Sequence, residues 1–218
     1  MAMPSPPPPH GWTRVGLALL LAASAGAIAA LLIASRLATP RDDSAEAGFA
    51  RDMATHHAQA VEMSFVIRDK STDEELRTLA YDIIATQSTQ RGVFMGWLQE
   101  WGLPQASPGP RMAWMPGHAG GSGTAGHHAA RMHGMASDDE LRRLRSAEGT
   151  DAEILFLQLM IRHHEGGVLM ARALIGRSQR DGIVQIARSI EEGQAAEVVQ
   201  MTAMLATRGA RPYDSLLE

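Results

Sequence analysis

Met160-Ile161-Arg162-His163-His164-Glu165-Gly166-Gly167-Val168-Leu169-Met170 follows Met53-Ala54-Thr55-His56-His57-Ala58-Gln59-Ala60-Val61-Glu62-Met63 at a spacing of 107 residues. The same shift places Phe49 on Phe156, Ala80 on Ala187, Ile83 on Ile190, Gln87 on Gln194, Leu98 on Leu205 and Gly102 on Gly209, without a gap. One register held across 54 positions, with rare residues such as His and Met in step, marks a duplication. The chain therefore carries two tandem repeats, 49–102 and 156–209.

Each repeat reads as a helical hairpin. Phe49, Met53, His56, Ala60, Met63 and Ile67 recur at three- and four-residue steps, one face of a helix running from about Ala45 to Arg68. Ser71 with Glu74, or Thr72 with Glu75, offers a capping box for the second helix, which stops at Gly102 ahead of Pro104. Thr150 with Glu153 offers the box of the second repeat, Gly176 separates its helices, and Gly209 precedes Pro212. Four long helices with short turns inside each hairpin predict an all-α four-helix bundle with a pseudo-two-fold axis, a domain at 45–211. The connector 103–149 is different. Leu103 to Ser137 is rich in Gly, Pro, His and Met and is expected to be irregular, whereas Asp138 to Ala147 predicts a short helix.

Ahead of the domain, residues 1–14 form a tail with a Pro6–Pro9 tract and read as disordered. Residues 15–35 carry no charged side chain and are closed by Arg14 and Arg36. At about 1.5 Å per residue such a run matches the roughly 30 Å hydrocarbon core, whereas a cleaved signal has an apolar region of only about 7–15 residues. The expectation is one single-pass transmembrane helix at 15–35, with 36–44 as linker and 212–218 as C-terminal tail. Cleavage, for which Ala23-Ser24-Ala25 is a small-residue candidate, would make the protein secreted. Arg14 against Arg36 and Arg41 specifies orientation only weakly.

Hydrophobic residues at 45% can fill a core, and with aromatics at only 5% that core must be built from Leu, Ile, Ala and Met. A net charge of -4 gives no electrostatic reason for a nucleic-acid partner. The absence of cysteine removes disulfides, a thiolate zinc site, a cysteine nucleophile and a lipidated cysteine anchor. Any soft sulfur ligand must then be a methionine thioether.

Two constellations could carry chemistry. The first is Met53, His56, His57 and Met63 with their counterparts Met160, His163, His164 and Met170. On a helix Met53 neighbours both histidines, and Met53, His56 and Met63 share the apolar stripe that His57 flanks, so the imidazoles are expected to be partly buried. Buried imidazoles need hydrogen-bond partners or a metal. Symmetry would draw both pairs towards one axis and onto one shared ion. The second constellation is the connector, with Met112, Met115, His118, His127, His128, Met132, His133 and Met135 as ligand candidates. Thioether and imidazole suit copper, as Cu(I) or Cu(II), and glycine-rich backbone lets ligands gather at little steric cost. The connector is expected to bind copper separately from the bundle and to be removable without loss of helix.

Plainer readings stand beside these. The histidines could form a polar core layer bonded to Gln87, Gln194, Glu165 or Glu197, with methionines simply packing, and the connector could be a low-complexity linker. A di-iron centre needs Glu-x-x-His, but the residues three before His56 and His163 are Met53 and Met160. Zinc on four histidines stays open as the alternative metal but leaves the methionines unused. No phosphate loop, nucleophile elbow or zinc-protease motif is present, so the protein is not expected to be an enzyme, although redox turnover is not excluded.

Met160 to Ala171 resembles the signature of the domain-of-unknown-function family numbered 305, a ferritin-like group. Phe49 to Met63 is similar to its first His-His motif, and Gly134-Met135 with Ser137-Asp138-Asp139-Glu140 to the segment before its third helix. The resemblance covers roughly 45–211. It implies a secreted or anchored bacterial bundle, some of whose relatives are linked to copper binding and resistance. Gln90 departs from the acidic residue expected there, which Glu197 supplies in the second repeat. The expected function is extracytoplasmic copper sequestration or delivery, at the bacterial cell membrane with the C-terminal domain outside. There, oxidation of thiols favours Met and His over Cys as ligands. The alternative is a metal-free helical module docking a membrane or envelope protein partner. Homo-oligomer formation is compatible with either.

Overall fold

A computed structural model describes residues 10–106, 109–115 and 132–217, with the backbone alone at 10–14 and 32–37. The described residues are all helical or irregular, without strand. The helices are α1 (His10–Leu37), α2 (Ala45–Lys70), α3 (Glu74–Glu100), α4 (Asp138–Ser146), α5 (Gly149–Ile175) and α6 (Asp181–Thr207). They fall into two units, Met1–Thr39 and Pro40–Glu218.

The first unit contains α1, which starts at His10 and so takes in the end of the stretch read as a tail; residues 1–9 of that tail lie outside the described ones. The expected transmembrane helix is not borne out: among the described residues no helix is long and apolar enough to cross a membrane.

In the second unit, α2 with α3 and α5 with α6 form two hairpins, and the hairpins meet through α2 and α5. Because α2 and α5 carry the repeated motif, the duplication sets the packing. Its symmetry shows in a crossed pair of hydrogen bonds: Ser71 Oγ donates to Glu153 and Ser178 Oγ donates to Glu46, each reaching the other hairpin. Glu46 and Ser71 are the counterparts of Glu153 and Ser178, so the repeat extends back to residue 46.

Capping differs from the sequence expectation. Ser71 is drawn off to Glu153, and Asp73 caps α3 instead by accepting from Leu76 N at 3.0 Å. Thr150 lies inside α5, which starts at Gly149 without a side-chain cap, because Glu153 is engaged by Ser71 and Arg208. The short helix α4 does carry a capping box, Ser137 with Glu140.

The core is divided. One apolar cluster joins Met63 and Ile67 of α2, Leu76 and Ile83 of α3, Phe156 and Met160 of α5 and Met201 of α6. The other joins Phe49 and Met53, Phe94 and Leu98, Met170 and Leu174, and Ile183 and Ile190. Between them α2 and α5 present their histidines, a polar layer across the middle of the bundle.

Candidate metal centre

The four imidazoles of His56, His57, His163 and His164 are fully buried, further than the partial burial the periodicity suggests. The rings of His56 and His163 lie 3.7 Å apart between centroids, tilted by 32°. His57 and His164 flank them at 6.5 Å and 6.3 Å from their neighbours, with interplanar angles of 52° and 53°. These matching values put the pseudo-two-fold axis through the His56–His163 stack.

The outer nitrogens of three of the rings have partners. His57 Nε2 donates to Gln90 Oε1 at 2.7 Å, His164 Nε2 donates to Glu197 Oε2 at 2.6 Å, and His56 Nε2 donates to the His133 carbonyl at 3.1 Å. Each leaves Nδ1 with a lone pair. All four Nδ1 atoms, and His163 Nε2, are buried and without a hydrogen-bond partner among the described groups. An imidazole whose far N–H is held by a carboxylate or carbonyl is in the arrangement metal-ligating histidines adopt. Burial pushes His56 and His57 down to about 3, with the neighbouring imidazoles adding to the effect, and holds His163 well below the ordinary imidazole value. These three rings are therefore neutral at pH 7, as ligation requires.

Of the partners suggested for a plain polar layer, Glu197 is the one that holds a histidine. Gln87 and Gln194 are buried with amide atoms unpartnered, and Glu165 turns away to accept from Ser215 Oγ and Leu216 N, both at 2.9 Å. Among the described residues no three His, Asp or Glu are gathered closely enough to hold an ion as they stand. The stack explains this in part. Rings packed face against face at 3.7 Å are not edge-on to a common ion, so a shared ion requires one ring to turn.

The methionines bracket the layer. Met53 and Met170 lie in one apolar cluster and Met63 and Met160 in the other, all fully buried. Met112, Met115 and Met132 of the connector join Met53 and Met170, and Met135 packs against them. His118, His127 and His128 lie outside the described residues.

The described parts of the connector are thus not a loose linker. Asp52, buried on α2, accepts from Met112 N at 2.8 Å and from Trp114 Nε1 at 2.9 Å. It holds Met112 at φ 63°, a conformation that costs a non-glycine residue roughly 1–2 kcal/mol. Three residues past His56, Gln59 pairs with both backbone groups of Ala136, at 3.0 and 2.7 Å. Arg162 forks onto Glu140 at 2.9 and 2.8 Å, and that pairing with the Ser137 bonds overcomes burial to hold Glu140 at about 2. The strap 132–136 is so fixed across the histidine layer. Asp52, Gln59 and Arg162 carry no ligand signature in the sequence because their partners are remote along the chain, whereas Gln90 is marked there by its mismatch with Glu197. Asp52 left one trace, an acid within a buried stripe.

The family model described as "Domain of unknown function (DUF305)" matches residues 46–205. The chain belongs to the DUF305 family. Among solved structures, a DUF305 protein described as secreted, from Streptomyces coelicolor, is 45% identical with a TM-score of 0.72, covering 80% of this chain and 99% of its own. A DUF305 fragment from Deinococcus radiodurans is 32% identical, with a TM-score of 0.61 and coverage of 75% and 96%. CopM in its Cu(II)-bound form is 25% identical, with a TM-score of 0.59 and coverage of 75% and 97%. No curated protein matches the chain.

Proposed function

We propose that this DUF305 protein binds copper outside the cytoplasm, for sequestration or delivery rather than catalysis. The observation that carries the reading is the buried layer of four imidazoles. Three of them are braced through Nε2, all four offer an unpartnered Nδ1, and methionines stand on both sides. His56, His57, His163 and His164 would supply nitrogen ligands, and Met53, Met63, Met160 and Met170 thioethers. That donor set suits Cu(I), with imidazole also serving Cu(II). The Cu(II)-bound form of CopM supports the choice of metal. Zinc would use the histidines alone.

The test is competition between the full chain and a Cu(I) chelator. Retention of Cu(I) against micromolar chelator, lost on replacing the four histidines, is the expected result. No retention overturns copper binding and leaves the metal-free docking module.

The Streptomyces relative described as secreted supports export, for which we assign the uncharged run 15–35. Fractionation of native cells tests it. Retention in membranes after an alkaline wash identifies a tether, and a product starting near Thr39 or Ser44 identifies a cleaved signal. Recovery of the chain from the cytoplasm overturns the placement.

A further inference from the structure

Gln90 and Glu197 occupy equivalent positions in the two repeats and meet equivalent histidines, yet one is neutral and the other acidic. A carboxylate can only accept, so Glu197 fixes His164 with its proton on Nε2 and its lone pair on Nδ1. An amide presents either face. With Oε1 forward Gln90 holds His57 in the same tautomer, but with its NH2 forward it would donate to Nε2 and move the ring proton to Nδ1, removing the ligand lone pair. The carboxylate also adds electron density to the ring it braces, raising its basicity towards a metal. Both rings are fully buried with nearly identical geometry to their inner neighbours, and the halves differ besides in Phe94, 5.8 Å from His57 where the second repeat has Met201, and in the strap carbonyl that holds His56 alone.

We infer that Gln90 and Glu197 are positioning residues that make the two halves of the histidine layer unequal, so that a soft monovalent ion loads the His163/His164 half before the His56/His57 half. The proposal rests on the copper reading above and adds the order of filling. An ion entering at His164 meets a ring already in its ligating tautomer. One entering at His57 must also hold the Gln90 amide in a single orientation.

The experiment uses the full chain, silver(I) as a redox-inert probe, and imidazole nitrogen resonances as readout. In the metal-free wild type His164 should be a single Nε2–H tautomer, with its N–H proton further downfield than that of His57. The first equivalent of silver should shift His164 Nδ1 ahead of His57 Nδ1. Glu197→Gln should weaken the first site about 10–100-fold, the usual scale for such bracing groups. The exchanged variant Q90E/E197Q keeps composition and net charge, and should reverse the order of filling. A merely structural role for the two residues would leave that order unchanged, and an unchanged order, or simultaneous filling in wild type, overturns the proposal. If silver moves none of the four histidines, the copper reading fails as well.

Discussion

Gly166 and Gly134 sit where two stretches of backbone nearly touch. A Cβ on Gly166 would lie 2.1 Å from the His133 carbonyl oxygen, and one on Gly134, which is at φ 75°, would lie 2.2 Å from the Arg162 carbonyl oxygen. Backbone cannot swing aside, so Gly166→Ala must lift the strap and break the bond between His133 and His56. We expect it to cost about 1–3 kcal/mol, read as a lowered denaturant midpoint. Gly167→Ala is the contrast, since its Cβ would meet chiefly the amide end of Gln194, a side chain that can rotate, and the loss should be smaller. The same layer makes stability depend on pH. His56 and His57 are depressed to about 3 from an unfolded value of 6.5. A depressed imidazole leaves stability intact above pH 6.5, and as pH falls from there towards 3 the unfolded chain takes up protons the folded one refuses. Each such histidine contributes a slope of about 1.4 kcal/mol per pH unit in that window. Thermal melts of metal-free protein should fall steeply between pH 6.5 and 4, and a His57→Gln variant should fall less steeply. Equal pH slopes in the two would show that His57 is not buried as a neutral ring.

At the scale of elements, the connector decides more than its composition suggests. Met112, Trp114, Met115 and Met132 close one of the two apolar clusters, so deleting 112–135 would strip the core rather than trim a linker. Replacing 116–131 with a Gly/Ser segment of equal length removes His118, His127 and His128 but keeps both packed ends. The expected outcome is an unchanged melting temperature with a lower copper stoichiometry, and equal stoichiometry would exclude those three histidines as ligands. Asp52→Ala should instead act on stability, because it orphans the Met112 amide and the Trp114 indole N–H, roughly 1–3 kcal/mol for each if both stay buried. Helices α2, α3, α5 and α6 were legible in the sequence because duplication samples each periodicity twice. Their caps were less so: Ser71 has the local signature of a cap, but its hydroxyl is claimed by Glu153, a partner no local motif reveals. The histidines were legible as candidates, since His-His with Met in register is rare. The strap over them was not, because a Gly-rich stretch carries no periodicity to announce that Gln59 and Gly166 receive it.

For the whole molecule, the question is whether the duplication built one site or two. Symmetry predicts that His56 and His163 meet, and the 3.7 Å stack places them in contact on the axis. Gln90 and Glu197, with the strap carbonyl on His56 alone, then make the halves chemically unequal. Two simple arrangements give different signatures. If each half holds its own ion with its own methionines, removing His56 and His57 should abolish one equivalent of copper and leave the other at unchanged affinity. If the halves share an ion across the stack, removing either pair leaves an incomplete coordination sphere, and the losses should be strongly non-additive. We expect the first outcome, with the His163/His164 half filling first, because Glu197 and Gln90 brace the two outer rings unequally. The measurement is a copper titration of the His56/His57, His163/His164 and quadruple alanine variants, on a background with 116–131 replaced. Melts of the same metal-free variants identify any copper loss that is only unfolding. Half the metal retained at unchanged affinity in each double variant would sink the shared site. Loss of nearly all tight binding in either, with little further loss in the quadruple variant, would establish it.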